Sequence, residues 1–285
     1  MALEYRSLVA RSRQGDQQTL RSDISLAGIG VHTGQPAELT LRSAPPDTGV
    51  RFLSEGEEIE LRLEHVVDDL GGITLGKNGH KVRTIEHLLA AVHLFGVDNL
   101  IAEVNGPEVP ILDGSAAPFL EAFKQAGRVR QAAPRWVYRV AAPGWVIQGD
   151  RMALALPNTR LRVSYYIDYE VIGRQYYAGP ITGQTFERKI APSRTFGFLK
   201  DAPGLRAQGR ALGSSLENTV AIGQDGPLTT LRSKDEFVKH KVLDLLGDLL
   251  LGGRRLIGGF VVLKGGHHLH RRLVNKLLRS SGRPT

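Results

Sequence analysis

Two widely separated stretches of the chain place metal-binding side chains on helices that are otherwise apolar. The first is Thr84-Ile85-Glu86-His87-Leu88-Leu89, and the second is His240-Lys241-Val242-Leu243-Asp244. His240 and Asp244 are one helical turn apart, so both side chains leave the same face. Two histidines, one aspartate and one spare glutamate are the parts of a hydrolytic zinc site, in which a free carboxylate deprotonates water at the open position.

Each stretch alone is weak evidence. A histidine on a helix surface is more often solvated than a metal ligand, and a His/Asp pair four residues apart also occurs as an ordinary contact on a helix surface. The two stretches become informative only if the fold brings them together. In that case the chain is a metal hydrolase.

The order of predicted elements suggests how they meet. The chain has 285 residues, which suggests two domains, and Ala132-Ala133-Pro134 marks a boundary. Each half runs through strands, a ligand-bearing helix, a glycine, a strand, a loop and a short helix. We therefore expect an α+β fold of two topologically similar domains, residues 17–133 and 134–285, with their helical layers facing each other. Residues 1–16 contain few apolar positions and are expected to form a flexible extension.

Apolar spacing predicts the individual elements. The predicted helices cover residues 84–95, 116–125, 236–251 and 269–278. The predicted strands cover residues 37–42, 49–53, 99–104, 136–140, 145–147, 152–156, 162–169 and 257–263. Gly265-Gly266-His267 is predicted as a loop.

Composition limits which residues could bind a metal and which partners suit the chain, but it does not identify the function. Cysteine is absent, so any zinc must be bound by histidine and carboxylate, and the absence is compatible with a reducing cytoplasm. The formal net charge of +8 fits nucleic acid, an anionic membrane or a phosphorylated substrate. Aromatic residues make up only 6%, and no basic segment is interleaved with them as a nucleic-acid stacking surface would be.

Further residues near the second stretch remain open to two interpretations. Asp248 lies one turn after Asp244 and could accept a hydrogen bond from an imidazole, with His267 as the candidate ring. The alternative is a surface cluster of neighbouring histidines, to which we assign His268 and His270. Thr195 offers a hydroxyl, but on the residues alone its segment is best interpreted as a structural turn.

Six segments, taken in chain order, resemble one known family. They are Gly30-Val31-His32-Thr33-Gly34, Thr84-Ile85-Glu86-His87-Leu88-Leu89-Ala90-Ala91, Pro110-Ile111-Leu112-Asp113-Gly114-Ser115-Ala116-Ala117-Pro118-Phe119, Arg194-Thr195-Phe196-Gly197-Phe198, Asp235-Glu236-Phe237-Val238-Lys239-His240-Lys241-Val242-Leu243-Asp244-Leu245-Leu246-Gly247-Asp248-Leu249 and Gly266-His267. The sequence is similar to the UDP-3-O-acyl-N-acetylglucosamine deacetylase family, the zinc amidases of lipid A biosynthesis. The matches extend from about Thr19 to near the C-terminus.

The resemblance implies a set of residue roles. It implies helices sandwiched between two sheets, and zinc on His87, His240 and Asp244. It makes Glu86 the general base, His267 a protonated histidine partnered by Asp248, Thr195 a stabiliser of the oxyanion and Lys241 a substrate contact. An insertion over roughly residues 196–222 would form an apolar passage for the acyl chain, including Phe196, Ala202, Leu205, Leu212 and Leu216.

The implied reaction is zinc-dependent hydrolysis of the 2-acetamido group of UDP-3-O-acyl-N-acetylglucosamine, giving UDP-3-O-acyl-glucosamine and acetate. Fe²⁺ also suits a site of two histidines and one aspartate. The resemblance places the enzyme in the cytoplasm, and its basic surface suggests peripheral contact with anionic lipid at the inner membrane. One alternative is an amidase of the same fold acting on another acylated substrate. The other alternative is a non-catalytic protein that binds nucleic acid. It assigns no role to Glu86, so we expect no nucleic-acid partner.

Overall fold

The computed structural model describes residues 7–280 and has the predicted α+β architecture. Two five-stranded sheets form the outer layers, and the longer helices pack between them. Within residues 7–280, no helix is both long enough and apolar enough to cross a membrane.

The elements follow in chain order. The strands of the first half are β1 (Val9–Leu20), β2 (Ile24–Ile29), β3 (Pro36–Ser43), β4 (Val50–Ser54), β5 (Glu57–Glu60), β6 (Val66–Asp68), β7 (Thr74–Lys77), β8 (His80–Arg83) and β9 (Leu100–Asn105). The strands of the second half are β10 (Arg128–Val140), β11 (Gly144–Gln148), β12 (Arg151–Leu156), β13 (Arg162–Tyr169), β14 (Gly173–Pro180), β15 (Phe196–Phe198), β16 (Val220–Ile222), β17 (Leu256–Ile257) and β18 (Gly259–Leu263). The helices are α1 (Glu86–Phe95), α2 (Ala117–Ala126), α3 (Gly183–Thr185), α4 (Ala202–Ala207), α5 (Glu236–Asp248) and α6 (His267–Arg279).

The two large sheets have the same topology. The first has the order β2-β3-β9-β4-β5 and the second the order β11-β12-β18-β13-β14. In each sheet the last strand in sequence is central, antiparallel to one neighbour and parallel to the other. The predicted similarity of the two halves is therefore confirmed at the level of strand order and direction.

The helices pack on these sheets and on each other. In the first half α2 contacts β2, while in the second half α6 contacts β11 and β12, and α5 contacts β13 and β14. Helix α1 contacts both α2 and α5. The buried apolar residues of both halves form one continuous core cluster, so the helical layers face each other as expected.

The first strands of the two halves, β1 and β10, pair with each other as one long ribbon, and this ribbon changes the predicted boundaries. Strand β1 pairs with β10 in antiparallel register, from Val9 opposite Val140 to Leu20 opposite Arg128. The expectation of a flexible extension is therefore wrong for residues 9–16, while residues 1–6 lie outside the described residues. The boundary expected after residue 133 falls inside β10. Both errors have the same cause, because most β1 residues before residue 17 are at least partly exposed and lack apolar alternation.

The helix boundaries differ from the predictions by a few residues. Helix α1 ends at Gly96, whose left-handed φ of 101° and backbone N–H to Val92 O close the helix. The helix begins at Glu86, two residues later than predicted, because Thr84 has a φ of 58° that an α-helix does not allow. Helix α6 begins at His267 itself, two residues earlier than predicted, because Gly266 is the extended residue that precedes the first turn.

One glycine controls how closely the two ligand-bearing helices approach. A Cβ atom built on Gly247 in α5 would lie 2.2 Å from the backbone oxygen of Glu86 in α1. Any side chain at this position would overlap with main-chain atoms, which cannot rotate away. The hydrogen atom of Gly247 thus allows α5 to lie directly against the first turn of α1.

We expect Gly247→Ala to separate the two helices and to lower the free energy of unfolding by about 1–3 kcal/mol, the usual cost of overpacking. Urea unfolding of the metal-free protein measures this. The matched control is Gly204→Ala in α4, where an added Cβ would meet nothing within 4 Å. The close approach would be refuted if both alanine variants unfolded at the wild-type urea concentration.

Candidate metal centre

The three residues predicted as metal ligands meet where α1 and α5 pack together. His87 Nε2 lies 3.7 Å from Asp244 Oδ1, and His240 Nε2 lies 3.3 Å from the same oxygen. One donor atom of each residue lies within 4.8 Å of the other two. All three side chains are buried. The cluster draws one histidine from the first half of the chain and two residues from the second.

Hydrogen bonds outside the cluster orient the two residues on α5. His240 Nδ1 lies 3.1 Å from the backbone oxygen of Ser193 and donates to it, which leaves the lone pair of Nε2 directed at Asp244. Lys241 Nζ donates to Asp244 Oδ2 at 2.7 Å. The remaining oxygen, Oδ1, is therefore the one that faces both imidazoles.

The protonation states of these residues suit metal binding. Burial lowers the pKa of His240 to about 3 despite the nearby Asp244 carboxylate, so the ring is neutral. Burial alone would raise the pKa of Asp244, but the positive charges of Lys241 and His267 hold it well below its usual range. Metal ligation requires neutral imidazole and ionised carboxylate.

A divalent ion fits this cluster. Asp244 Oδ1 is buried and has no hydrogen-bond partner among the described residues, although buried polar atoms in native proteins are usually paired. Two imidazoles and one carboxylate form a donor set that suits zinc and also Fe²⁺.

Glu86 lies beside the cluster with its carboxylate buried. It is the first residue of α1, so it adjoins His87 on the first turn. Its Oε2 accepts a hydrogen bond from the backbone N–H of Ile73 at 2.9 Å, and its Oε1 lies 3.9 Å from His267 Nε2. A Cβ atom on Gly72 would come within 2.9 Å of Oε1. The site therefore contains a second carboxylate that is separate from the three clustered donors.

Asp248 pairs with His267, as the sequence predicts. The Nδ1–H of His267 donates to Asp248 Oδ2 at 2.8 Å. Burial opposes a positive charge on His267, but the carboxylates of Asp248, Asp244 and Glu86 outweigh burial and raise its pKa to about 10. The imidazole is therefore a cation at neutral pH, with its Nε2 directed between Glu86 and Asp244.

His270 is a second partner of Asp248, which the sequence interpretation missed. Its Nδ1–H donates to the same Oδ2 at 2.8 Å, and its Nε2 lies 3.0 Å from the hydroxyl of Tyr165. Burial lowers the pKa of His270, so the ring is neutral and accepts a hydrogen bond from Tyr165. The assignment of His270 to a surface cluster is wrong, because its side chain is fully buried. Only His268 is exposed, and it contacts Asp69.

The signal for His270 was its spacing. His267 and His270 are three residues apart and share a helix face with Val274 and Leu277. The shared face exists only if α6 begins at His267. A helix that begins at residue 269, as predicted, contains His270 but not His267.

A cavity of about 510 Å³ opens over the cluster. The predicted site residues that line it are Glu86, His87, Thr195, Phe196, Leu205, His240, Lys241, Asp244 and His267. Asp248 lies behind His267. Three predicted passage residues, Ala202, Leu212 and Leu216, are not among the lining residues, and the last two have about half of their surface exposed, at 51% and 54%.

Several cavity residues were not singled out from the sequence as site residues. They are Val31, His32, Leu70, Gly71, Thr84, Ile111, Tyr169, Gly197, Gln208, Arg210, Ala211, Ser214 and Thr219. Most come from the loop at residues 30–34, from residues 70–71 or from the insertion at residues 196–222. His32 Nε2 lies 3.1 Å from the backbone oxygen of Gly71, and Arg210 pairs with Asp68 at 2.7 Å. These tertiary contacts have no local sequence signature.

The loop that carries Thr195 is held by α5. Arg194 is buried and forms an ion pair with the buried Glu236, with Nε donating to Oε1 at 2.9 Å. The preceding residue, Ser193, receives the hydrogen bond from His240. The helix that supplies two clustered donors thus also positions the Thr195 loop at the cavity.

The chain is similar to known proteins along most of its length. A family model described as UDP-3-O-acyl N-acetylglycosamine deacetylase matches residues 17–279. A protein named UDP-3-O-acyl-N-acetylglucosamine deacetylase from Geotalea uraniireducens is 41% identical over 273 residues, covering 93% of this chain and 89% of its own length. A protein of the same name from Myxococcus xanthus is 42% identical over 271 residues, covering 92% of this chain and 86% of its own length.

We expect His267 in the metal-free protein to remain an imidazolium through pH 8, because its pKa is raised to about 10. Asp248→Asn removes a negative charge that stabilises the cation, so the pKa should fall. ¹⁵N NMR of the imidazole nitrogens measures both. Asp150→Asn, which changes an exposed carboxylate paired with Lys264, is the control and should leave the ring unchanged. A neutral His267 at pH 8 in the wild-type protein would contradict the assignment.

Proposed function

The chain belongs to the UDP-3-O-acyl N-acetylglycosamine deacetylase family, and on this premise we propose its substrate and its catalytic residues. The enzyme is an amide hydrolase, a deacetylase. Its proposed substrate is UDP-3-O-acyl-N-acetylglucosamine, whose 2-acetamido group is hydrolysed to give UDP-3-O-acyl-glucosamine and acetate. The reaction belongs to lipid A biosynthesis.

One observation carries the proposal for the site. His87, His240 and Asp244 come from two halves of the chain and offer three donor atoms within 4.8 Å of one another, beside a carboxylate that is not part of the set. We propose that these three residues hold Zn²⁺, with Fe²⁺ as the other metal that suits the donor set. When bound, the ion supplies a Lewis acid that acidifies water and polarises the amide carbonyl.

Glu86 is proposed as the general base. Its Oε2 is held by the N–H of Ile73, while Oε1 lies on the side of His267 and the cavity. A carboxylate fixed through one oxygen can take a proton from the attacking water with the other. The position at the start of α1 brings this group next to the His87 ligand.

His267 and Thr195 are both proposed to stabilise the negative charge that develops in the reaction. The His267 cation, maintained by Asp248, stabilises developing negative charge and can donate a proton to the leaving amine. Thr195 lines the same cavity and is proposed to donate to the oxyanion. Lys241 is proposed to contact the substrate, since its Nζ lies beside the Phe196 ring at 5.7 Å and lines the cavity.

The apolar wall of the cavity is proposed to receive the acyl chain. Phe196 and Leu205 line it directly. Ala202, Leu212 and Leu216 belong to the same insertion and are proposed to extend the passage outward, which fits the exposure of the two leucines. Apolar side chains left open at a cavity mouth are typical of a surface that binds an apolar ligand.

We also propose where the enzyme acts. A cytoplasmic location, with peripheral contact to anionic lipid at the inner membrane, accords with an acylated substrate and with the net charge of +8.

Two variants separate metal binding from catalysis. We expect His240→Ala to lose both bound metal and acetate release from the proposed substrate, because one of three ligands is removed. We expect Glu86→Gln to retain the metal, since the amide oxygen still accepts from Ile73, while acetate release falls by a factor of about 10² or more because the base is lost. Metal analysis and an acetate assay on the same samples measure both.

His80→Ala is the control for that experiment, because His80 lies at the surface of the first half, paired with Glu55. It should keep both metal and activity. The proposal fails if His240→Ala retains metal and activity, or if Glu86→Gln releases acetate at the wild-type rate.

A further inference from the structure

The second large sheet exposes an apolar face that the proposed reaction does not use. Its inner side chains, such as Val163, Tyr165 and Ile167, are buried in the core. The side chains that alternate with them point outward and align across all five strands. One row contains Trp145, Leu154, Val261, Ser164 and Ala178, and the next contains Ile147, Met152, Leu263, Tyr166 and Tyr176. We call these two rows the outer apolar face.

Large side chains on this face are open to solvent. Trp145 is 50% exposed, Ile147 56% and Tyr176 62%. Leu154, Met152, Val261 and Tyr166 are partly exposed between them. A contiguous apolar surface of this kind on a protein in water usually marks an interaction site.

The first large sheet has no comparable surface, although its topology is the same. The corresponding outward rows contain Ser25, Thr40, Glu103, Leu53 and Glu58, and then Arg42, Ile101, Arg51 and Glu60. Ion pairs cross this face, such as Arg42 with Glu103 at 2.6 Å. The apolar character of the second sheet is therefore not a consequence of the fold, because the same architecture tolerates a charged outer face.

Basic side chains border the outer apolar face. Arg272, Lys276 and Arg279 on α6 share a surface groove with Trp145 and Ile147. Lys276 Nζ lies 5.1 Å from the centre of the Trp145 ring. Among residues 7–280, Arg272 and Arg279 form no ion pair and are exposed. Arg162, at the end of the face on β13, is likewise exposed and unpaired within that range.

We propose that the outer apolar face docks on an anionic lipid bilayer. Tryptophan and tyrosine favour the water–lipid interface, where an apolar body and a polar tip are both satisfied. Arginine and lysine beside them meet the negative headgroups. A sheet face with aromatic and aliphatic side chains at its centre and cations along its border matches such a surface in both respects.

A second copy of the chain fits this face less well. A two-fold pair would bring the same surface of each copy together. The carboxylates of Asp150 and Asp168 beside this face already pair with Lys264 and Arg174. They would therefore offer little negative charge to the unpaired arginines of a facing copy, and those arginines would meet a surface of equal sign. An anionic bilayer instead supplies the missing negative charge.

The proposal deepens the proposed function, since an enzyme bound at the bilayer would act where acylated molecules collect. Docking itself can be measured without the reaction. A failure to bind vesicles would leave acetate release untouched, and loss of acetate release would leave docking untouched. The proposal for docking and the proposal for the reaction therefore fail independently.

Vesicle co-sedimentation tests the face directly. We expect the full chain to bind vesicles of phosphatidylglycerol and phosphatidylcholine, to bind phosphatidylcholine alone weakly, and to dissociate as salt approaches about 1 M. The double variant Trp145→Ser, Ile147→Ser should lower the partition coefficient by about tenfold or more, because two apolar side chains no longer enter the interface. Arg272→Glu with Arg279→Glu should lower binding to the anionic vesicles.

The matched control is Leu53→Ser on the outer side of the first sheet, which should bind as the wild type does. Because none of these residues lines the catalytic cavity, wild-type acetate release and thermal unfolding in solution will establish that each variant is folded. The chain has two tryptophans, so Trp136→Phe leaves Trp145 as the single reporter. Its fluorescence should shift to the blue on vesicles and be quenched by brominated phosphatidylglycerol.

Three results would overturn the proposal. The first is vesicle binding that is insensitive to salt or equal for the Trp145/Ile147 variant and the wild type. The second is an unchanged Trp145 emission at saturating vesicles. The third is a dimer in solution that the same double variant dissociates, with no binding to vesicles, which would assign the face to a second copy of the chain.

Discussion

At Gly247 the backbones of α1 and α5 come closer than any side chain would allow, and the rest of the site depends on this contact. It brings His87 on one helix within reach of His240 and Asp244 on the other. Neither helix carries a complete donor set alone. The two halves of the chain are each a sheet with helices on one side, so the packing that buries their apolar faces also builds the cluster.

The buried carboxylates around this contact are distinguished by their partners. Asp244 is held by Lys241 through one oxygen and is free toward the imidazoles through the other. Asp248 receives two imidazole N–H groups on one oxygen, from His267 and His270. Glu86 accepts from a backbone N–H. Carboxylates within one buried region thus acquire different chemistry from their hydrogen bonds. Burial has this effect because each hydrogen bond or charge is electrostatically stronger at low dielectric than in water.

How much the sequence could predict follows from how local each signal is. Helices α1 and α5 were predicted because their apolar spacing is regular, and the repeated order of elements predicted the shared topology of the sheets. His270 was missed because its meaning depends on where α6 begins. Strand β1 was missed because a ribbon exposed along much of its length has no apolar alternation. Cavity residues such as His32 and Arg210 are joined by contacts across long sequence separations, to Gly71 and Asp68, which no local pattern encodes.

The most direct test is a crystal structure of the zinc-loaded protein with an anomalous difference map collected at the zinc edge. The account predicts one strong peak within about 2.0–2.2 Å of His87 Nε2, His240 Nε2 and an Asp244 carboxylate oxygen, the usual range for zinc with these donors. A peak bound by residues of only one helix, with His87 beyond bonding distance, would contradict the claim that the two halves of the chain share one metal.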